Sequence, residues 1–412
     1  MEVRAGYKQT EAGVIPDDWD CASIASVARL ESGHTPSKRK PDYWGGSVQW
    51  VSLHDTAALE GREIAATAKT ITEDGLNHSS ARLLPPGTVV FSRTATVGKS
   101  TVMATSMATS QDFANYICGP DLDNHFLVYL FRSMGRTWRR LMAGSIHNTI
   151  YMPVFKALKI VLPPVPEQRA IAAALSDVDS LLDGLNRLIA KKRDLKQATT
   201  QQLLTGHTRL PGFHVEWETK RLGEMGVFLK GSGVRKDEAN SGDLACVRYG
   251  EIYTYHNDYI RSFNSLISSK VAATATRLHQ GDLLFAGSGE TKEDIGKCVA
   301  VVDDREAYAG GDIVILRLAC ANPMFMGYYC NTAPINAQKA SRGQGDAVVH
   351  IGATALSNIE VTLPSHDEQT AIAAVLSDMD SELAALEARR DKTRDLKQAM
   401  MQELLTGKTR LV

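Results

Sequence analysis

A short glycine motif offers the first possible chemistry in this chain. Gly98-Lys99-Ser100 has the ending of a phosphate-binding loop, in which backbone amides and a lysine hold phosphate oxygens. Such a loop also needs a glycine five positions before Gly98, and the chain has Arg93 there. The motif therefore predicts no nucleotide site.

Two further motifs would suit methyl transfer to adenine. Phe285-Ala286-Gly287-Ser288-Gly289 has the F-x-G-x-G form of a cofactor loop, and Asn322-Pro323-Met324-Phe325 is similar to the N-P-P-F tetrapeptide of adenine methyltransferases. A cofactor loop joins a strand to a helix, and several βα units should separate it from the tetrapeptide. Only about 33 residues separate the two motifs here. We therefore predict no catalytic residue, with a self-contained adenine methyltransferase as the alternative.

No other residue pattern indicates a catalytic or metal site. The 11 histidines form no His-x-x-x-His pair, and the six cysteines, at positions 21, 118, 246, 298, 320 and 330, form no C-x-x-C pair. That cysteine pattern favours a reducing compartment. Asp177 and Asp179 repeat as Asp378 and Asp380. We expect them near helix N-termini, where carboxylates interact favourably with the helix dipole.

The composition is that of a globular chain without a strong charge bias. The 412 residues include 46 basic and 47 acidic side chains, which excludes a polybasic binder but allows a local basic cleft. This length favours two domains with connecting segments. The N-terminal residues lack the apolar core of a signal peptide, and no stretch approaches roughly 18 apolar residues, so we expect a cytoplasmic protein.

The chain contains two copies of one segment, and these are the elements that would position any functional residue. Residues 167–210 and 368–411 align without a gap at an offset of 201 positions, and 28 of the 44 residues are identical. The chain is therefore an internal duplication, with the order globular segment, helix, globular segment, helix.

Both copies have the residue spacing of a long coiled-coil helix. Apolar residues recur at alternating steps of four and three, the a/d spacing of a coiled-coil seam. Each copy closes with a glycine, Gly206 or Gly407, as expected just past a helix C-terminus. At about 1.5 Å per residue such a helix spans roughly 50 Å. The predicted seam comprises Ile171, Leu175, Val178, Leu182, Leu185 and Ile189 in the first copy and Ile372, Leu376, Met379, Leu383 and Leu386 in the second, and continues through Leu195, Leu203, Leu396 and Leu404.

An apolar stripe of that length needs a partner. We predict that the two copies pack on each other as an antiparallel coiled coil that holds two domains apart. The alternative is two ordinary core helices in separate domains. If the chain continued past its second copy, it would lead into the N-terminal segment Gly13–Trp19, which fits a ring with pseudo-twofold symmetry.

The two globular segments look like diverged copies of one α+β domain. Short β-like runs match between them, among them Leu84–Phe91 with Leu278–Phe285. We predict one helix over Asn124–Met142 and a weaker one over Met324–Ser341. Because the scaffold matches while the loops differ, the pattern is typical of two domains that read different targets.

This layout resembles the specificity subunit of Type I restriction–modification systems. The resemblance rests on the EQ-x-AIAA-x-LS-D-x-D starts and RDLKQA…LLTG-x-TRL ends of both helices, on the PDDW start near the N-terminus, and on the runs LPPGTVVFS and GDLLFAGSGETKEDIGK. It implies an α+β fold with two α/β target recognition domains separated by two long helices that form an antiparallel coiled coil. The implied boundaries are 1–165 for the first recognition domain, 166–207 for the central helix, 208–366 for the second recognition domain and 367–412 for the distal helix.

The resemblance also implies a function and partners. Each recognition domain would read one half of an asymmetric, interrupted site on double-stranded DNA, and half-sites about one DNA turn (~34 Å) apart would suit the predicted helices. The helices would set the spacer and dock two methyltransferase subunits, which endonuclease/translocase subunits join. S-adenosylmethionine would be bound by the methyltransferase partners, and ATP and Mg by the motor partners. No cofactor or metal is expected in this chain. A specificity-like scaffold or decoy without an active partner is the other alternative.

The candidate DNA contacts are loop clusters that mix basic, amide and aromatic side chains. Arg and Lys neutralise phosphates or pair with guanine, and Asn and Gln pair with adenine. The candidates in the first domain are Ser37, Lys38, Arg39, Lys40, Tyr43, Trp44, Arg93, Lys99 and Asn148, with Gln49 and His147 beside them. Those in the second domain are Arg235, Lys236, Arg248, Tyr249, Lys292, Arg342 and Gln344. The tyrosines around Tyr255 fit DNA contact and strand packing equally well.

Overall fold

The computed structural model of the chain describes residues 5–11, 13–143, 148–345 and 348–411. The predicted contact His147 lies outside these residues, as does the side chain of Lys236. The chain divides into two compact units, residues 1–187 with 388–412 and residues 188–387. Each unit therefore contains one globular segment and about half of each long helix.

The first unit is built around a mixed sheet in the strand order β4-β11-β8-β9-β6, beside a smaller sheet in the order β10-β5-β7. Its strands are β1 (Tyr7–Thr10), β2 (Gly13–Pro16), β3 (Asp20–Ser23), β4 (Ala28–Ser32), β5 (Trp44–Val51), β6 (Glu63–Ile64), β7 (Thr70–Ile71), β8 (Val89–Ser92), β9 (Ser100–Met103), β10 (Ala108–Thr109), β11 (Phe113–Cys118) and β12 (Lys159–Leu162). Its short helices are α1 (Ile24–Val27), α2 (Glu73–Asn77), α3 (Asn124–Ser133), α4 (Gly135–Met142) and α5 (Met152–Lys156). Aromatic side chains from β8, α3, α4 and α5 fill the core between the main sheet and these helices.

The second unit repeats this plan with a sheet in the order β14-β22-β18-β20 and another in the order β16-β15-β21-β17. Its strands are β13 (Glu218–Arg221), β14 (Gly226–Lys230), β15 (Leu244–Val247), β16 (Ser265–Ile267), β17 (Thr276–Leu278), β18 (Asp282–Ala286), β19 (Ser288–Gly289), β20 (Cys298–Ala300), β21 (Ala307–Ala309), β22 (Ile313–Leu318), β23 (Val349–His350) and β24 (Glu360–Leu363). Its short helices are α7 (Tyr249–Thr254), α8 (Ser269–Ala272), α9 (Pro323–Tyr329), α10 (Ala333–Arg342) and α11 (Ala353–Ser357).

The strand pairings confirm that the two globular segments are copies of one α+β scaffold. In the first unit β11 lies antiparallel between β4 and β8, and in the second β22 lies antiparallel between β14 and β18. The small sheets correspond as well, because β5 pairs in parallel with β10 and β15 pairs in parallel with β21.

Each predicted single helix of the globular segments is a pair of helices. Asp123 and Asn322 cap the first member of each pair by accepting the backbone N–H of Phe126 and Phe325, at 2.9 and 3.0 Å. In the second unit the break falls before Pro334, which lacks the N–H that a helix interior needs. In the first unit the helices α3 and α4 meet at residues 133–135.

The two duplicated segments form long helices, α6 (Val165–Leu204) and α12 (His366–Leu404), that pack together. In the first unit the start of α6 packs with the end of α12, and in the second the end of α6 packs with the start of α12. The helices are therefore antiparallel, as predicted. Gly206 and Gly407 follow their ends with φ of 70°, the left-handed conformation that favours glycine at a helix C-terminus.

The structure buries part of the predicted seam. Buried residues are Ile171, Leu175, Leu185, Ile189, Leu203, Ile372, Leu376 and Leu404, and half-buried ones are Val178, Leu182, Met379, Leu383 and Leu386. The prediction that the stripe continues through Leu195 and Leu396 is wrong, since these side chains are 50% and 55% exposed. A straight α-helix drifts by about 20° per heptad from a 3.5-residue repeat. Ion pairs replace apolar contacts along this part, including Lys192–Glu382 at 2.7 Å.

In the part of the chain that the structure describes, no helix combines the length and the apolar character needed to cross a bilayer.

Candidate nucleic-acid interface

A buried glutamate ties the start of α6 to both chain ends in the first unit. Glu167 accepts hydrogen bonds from the Trp19 indole at 2.9 Å and from two nitrogens of Arg410 at 2.6 and 2.8 Å. Arg410 also donates to both oxygens of Asp18, at 2.9 and 2.7 Å. Hydrogen bonds to these two carboxylates raise the pKa of Arg410. We call these four residues the first clasp, which fits the sequence prediction that the end of the second copy leads to the N-terminal segment.

The second unit repeats the arginine–glutamate pair of the clasp, but two other contacts differ. Arg209 donates to both oxygens of Glu368, each at 2.5 Å, and to the backbone carbonyl of Val215 at 2.9 Å. Its guanidinium lies 5.8 Å from the ring centre of Trp217. The indole nitrogen of Trp217 is buried and has no hydrogen-bond partner among the described residues. Arg209, Trp217 and Glu368 form the second clasp.

The glutamine that follows each clasp glutamate holds the adjacent globular segment. Gln168 accepts the backbone N–H of Asp123 at 2.8 Å, and Gln369 accepts that of Asn322 at 2.9 Å. Asp123 and Asn322 are the N-caps of α3 and α9. The shared E-Q pair therefore fixes the direction in which each globular segment leaves its long helix.

The repeated aspartates anchor the globular segments farther along the helices. Asp179 accepts the Tyr129 hydroxyl at 2.8 Å and pairs with Lys397 at 2.5 Å. Asp380 accepts the Tyr328 hydroxyl at 2.6 Å. The prediction that these carboxylates sit near a helix N-terminus is wrong, because Asp179 lies several turns inside α6. Burial, followed by the hydrogen bond to the carboxylate, raises the pKa of both tyrosines.

We call each aspartate with its tyrosine and lysine partners a triad, and the second triad, at Asp380, has a further cation. Lys196 pairs with Asp380 at 2.6 Å, as Lys397 does with Asp179. Arg261 adds a contact to Asp380 at 3.1 Å. No group of three or more His, Cys, Asp or Glu side chains suited to a metal occurs in the described ranges. The aspartates thus serve as anchors for the two globular segments.

The loop before β5 presents two free cations. Lys38 and Arg39 are exposed and form no ion pair with any residue that the structure describes. Lys40 donates to the Tyr43 hydroxyl at 3.0 Å. The Trp44 indole donates to the Ser37 carbonyl at 3.3 Å and packs edge-on against Trp50. The aromatic residues of this cluster therefore shape the loop, and Lys38 and Arg39 supply its charge.

Arg93 has an internal role beside this loop. It donates to the backbone carbonyls of Gln111 at 2.9 Å and Ile150 at 3.0 Å, and burial lowers its pKa. Lys99 pairs with Glu60 at 2.6 Å. Asn148 is exposed, with a φ of 48° that asparagine tolerates better than most residues. Arg93 thus fixes the backbone at Gln111 and at Ile150, two residues after Asn148.

Gln111 is a residue that the sequence pattern missed. Its side-chain oxygen accepts the Thr35 hydroxyl at 2.6 Å, and it is exposed. The hydrogen bond from Thr35 ties Gln111 to the loop that also carries Lys38 and Arg39, and the backbone at 111 binds Arg93.

Candidates in the second unit divide in the same way. Arg235 and Tyr249 are exposed. Arg248 is half-buried and donates to Glu251 and Ser265, at 3.3 and 3.1 Å. Its guanidinium holds α7 against β16, whereas Arg235 and Tyr249 face solvent.

The remaining candidates of the second unit lie on two loops. Arg342 donates to the backbone carbonyls of Gln338 and Asn358, at 2.9 and 3.3 Å, while Gln344 is exposed. Lys292 is exposed in a loop whose other charged residues are acidic. Within the tyrosine group near Tyr255, Tyr259 packs inward and meets the ring of Tyr328 edge-on at 5.9 Å, whereas Tyr255 itself is 49% exposed.

The methyltransferase-like motifs have structural roles in this fold. Asn322 caps α9, and Phe325 is buried in the core. The Gly287 N–H donates to the carbonyl of Asp312 at 2.7 Å, and β19 pairs with β23. No strand-to-helix cofactor loop forms at this run.

Comparison with known proteins defines the class of this duplicated fold. The profile of the type I restriction modification DNA specificity domain matches twice, over residues 16–192 and 214–393. The MjaVIII specificity subunit of Methanocaldococcus jannaschii, a type I restriction enzyme subunit, is 21% identical over 98% of this chain and 96% of its own length. The MjaIX specificity subunit of the same organism is 27% identical over 56% of this chain and 57% of its own length, so that match spans little more than half of the relative.

Solved structures share the architecture over the whole chain. An S subunit of a type I restriction–modification system from M. genitalium superposes with a TM-score of 0.59 at 15% identity, covering 98% of each chain. An S subunit from Thermoanaerobacter tengcongensis gives a TM-score of 0.53 at 18% identity, covering 96% of this chain and 98% of its own. At these identities the likeness concerns the fold alone.

The fold and the two profile matches define a duplicated DNA-specificity protein. The chain belongs to the family of type I restriction modification DNA specificity domains. Sequence-specific recognition of DNA is the function that this membership supports.

Proposed function

We propose that the chain recognises an asymmetric, interrupted site on double-stranded DNA, with one half-site for each globular segment. The observation that carries this proposal is the contrast between repeated anchors and unrepeated loops. The Glu and Arg members of both clasps and the Asp and Lys members of both aspartate–tyrosine–lysine triads recur at the 201-residue offset of the duplicated segments. Corresponding anchors attach each segment to the equivalent part of its helix, so differences in specificity must come from the loops.

The exposed polar loops differ in chemistry between the two segments. The first segment presents Lys38, Arg39 and Asn148, which suit phosphate, guanine and adenine contacts. The second presents Arg235, Tyr249 and Gln344. Two unlike surfaces of this kind read two unlike half-sites, in contrast to the palindrome that a symmetric homodimer binds.

The helices serve in this proposal as spacer and docking platform. Leu188 and Leu195 lie one heptad apart on α6 and are 39% and 50% exposed. Exposed leucines at this spacing form the type of narrow apolar stripe that packs against a partner helix. We assign this stripe to methyltransferase subunits, of which two would bind, joined by endonuclease/translocase subunits. S-adenosylmethionine would be held by the methyltransferases, and ATP and Mg by the motor subunits, in the cytoplasm, where the DNA is.

Methylome mapping tests the proposal. The chain is co-expressed with its candidate methyltransferase subunit in a host that lacks other adenine methylation, and methylated adenines are mapped over the genome. We expect one motif of two unlike half-sites separated by unspecified bases, with one methylated adenine in each half. A continuous motif, or a palindromic one, would contradict the assignment of one half-site to each segment. Methylation by the chain expressed alone would instead favour a self-contained methyltransferase.

A further inference from the structure

Helix α4 presents a row of arginines that the sequence pattern did not single out. Arg136, Arg139 and Arg140 are exposed and follow the i, i+3, i+4 spacing that places side chains on one face of a helix. None of the three forms an ion pair with a described carboxylate. Among the described residues, the single side-chain hydrogen bond of these arginines runs from Arg139 to the carbonyl of Gly135 at 3.4 Å, within the helix.

The surrounding sequence contains no acidic residue. Residues 124–166 hold six Lys and Arg side chains and no Asp or Glu. The equivalent stretch of the second unit, residues 323–367, holds two basic and three acidic residues. In its helix α10, Lys339 is fully buried and donates to the carbonyls of Gly296 and Cys330, at 2.7 and 2.9 Å. The basic face is therefore a property of the first unit alone.

This arrangement of charge works against the helix that carries it. Arg136 is three residues from Arg139 and four from Arg140, and like charges at these spacings repel each other. Arg136 also lies in the first turn, at the positive end of the helix dipole, where a cation is unfavourable. Nothing in the described part of the fold compensates, so an anionic ligand is the natural source of compensation.

Helix α4 is fixed rigidly beside the loop after β8. Its one buried residue, Trp138, donates from the indole nitrogen to the carbonyl of Phe131 at 2.7 Å and packs against Phe91. A Cβ added to Gly98 would lie 3.2 Å from the Trp138 ring, so the loop that carries Arg93 and Lys99 rests directly on this tryptophan. The arginine face therefore belongs to the same end of the segment as the candidate contacts around Asn148.

We propose that Arg136, Arg139 and Arg140 bind the DNA sugar-phosphate backbone at the half-site of the first segment. Guanidinium groups form paired hydrogen bonds with phosphate oxygens, and a backbone contact positions a protein without selecting a sequence. Because the second unit lacks an equivalent face, the first half-site contributes more of the salt-dependent binding. This inference rests on the proposed function and adds to it a DNA backbone contact at the first half-site only. We call this contact of the three α4 arginines the clamp.

The test uses the complex of the chain with its methyltransferase partner on a duplex containing its mapped site. The variant Arg136→Gln/Arg139→Gln/Arg140→Gln is compared with Arg29→Gln/Arg82→Gln/Lys159→Gln. The control removes the same number of exposed cations from the same unit, but each of these pairs with a glutamate. Equilibrium constants are measured from about 50 to 200 mM salt, the range over which phosphate contacts dominate the salt response.

We expect the α4 variant to lower the magnitude of the log–log salt slope by roughly 2.7, since each phosphate contact contributes about 0.9. Its affinity at 0.1 M salt should fall roughly 500-fold by the same relation. The methylated motif should stay the same, and the control should change neither quantity. An Arg→Lys variant at the three positions should keep most of the slope, because it keeps the charge. Thermal unfolding should show the Gln variant folded and no less stable, because repulsion within α4 is removed.

Three results obtained with the α4 variant would overturn the clamp. If the variant kept the wild-type salt slope and still methylated the wild-type motif, the clamp would be wrong and the proposed function would stand. A change in the methylated bases would show that the arginines read sequence. Loss of the methyltransferase from the variant complex would show that the face docks protein. If the wild-type complex itself failed to distinguish its site from random duplex, the clamp and the proposed function would fall together.

Discussion

Replacing Glu167 tests most directly whether the first clasp holds Trp19 and Arg410 to the start of α6. Its side chain is about 1% exposed and accepts four hydrogen bonds, one from Trp19, two from Arg410 and one from the backbone N–H of Leu411. The substitution Glu167→Gln keeps the shape but removes the charge, and its NH2 group must face one of these donors. The first clasp should then lose at least one charged hydrogen bond.

The expected loss of stability follows from the burial of the two partners. A hydrogen bond to a charged group contributes about 1.5–3 kcal/mol. The Arg410 side chain is 25% exposed, so solvent screening reduces its share. We therefore expect a loss of about 2 kcal/mol in the free energy of unfolding, which for a unit of this size lowers the melting temperature by roughly 4–8 °C.

Urea unfolding followed by tryptophan fluorescence measures this loss. Four of the five tryptophans lie in the first unit, so a Trp217→Phe background makes the signal report that unit alone. Glu11→Gln is the control, because it removes an exposed pair with Lys159 and should leave the urea midpoint unchanged. If Glu167→Gln unfolds at the wild-type midpoint, the clasp does not hold the chain ends to α6.

Three further predictions concern the triads, a buried histidine and the exposed leucines. Asp380→Asn should destabilise its unit more than Asp179→Asn does, since Asp380 is the more buried and has a third partner; equal shifts in urea midpoint would contradict this. Burial lowers the pKa of His256, so the unfolded chain takes up a proton near pH 6.5 and the folded chain does not. The stability contributed by the neutral histidine should therefore be fully present above that pH and fall below it. His256→Asn should flatten this loss between pH 7.5 and 5.5, measured by urea midpoint. Leu188→Glu with Leu195→Glu should reduce co-purification of the methyltransferase without lowering the melting temperature, and full recovery of the partner would argue against the docking stripe.

The long helices and their closure could be predicted from sequence because their signals are local and repeated. The a/d spacing, the C-terminal glycines and the match between the end of the second copy and the N-terminal segment all follow from residue types at fixed positions. The family resemblance drawn from the same motifs is confirmed by the two profile matches. The antiparallel packing then follows from the need to bury two apolar stripes.

Partner choice at long range could not be predicted in this way. Arg93, Arg248 and Arg342 have the composition of DNA contacts, yet the structure shows each guanidinium bonded within its own unit. Whether an arginine is free depends on which carbonyls the fold brings near it, and sequence spacing carries no such information. Conversely, the sequence pattern does not indicate the three arginines of α4, because it predicts one continuous helix over Asn124–Met142. The turn at residues 133–135 separates the helix that displays them.

The break in the seam has a similar origin. Leu195 and Leu396 keep the leucine of a heptad position, but the helices have drifted and the contacts near them are ionic. Residue type alone predicts that these two leucines are buried, whereas the structure exposes them. The aspartates show the same limit, because their tyrosine and lysine partners lie 50 or more positions away in the chain.

The most direct measurement of the central claim changes helix length and reads the methylated motif. One heptad is inserted between Arg187 and Leu188 in α6 and another between Glu387 and Ala388 in α12, at the boundary of the two units. Each insertion adds about 10 Å of helix, the rise of about three base pairs. We predict that the lengthened chain methylates the same two half-sites with a longer spacer. An unchanged spacer, or altered half-sites at the original spacing, would contradict the account of two separate readers set apart by paired helices.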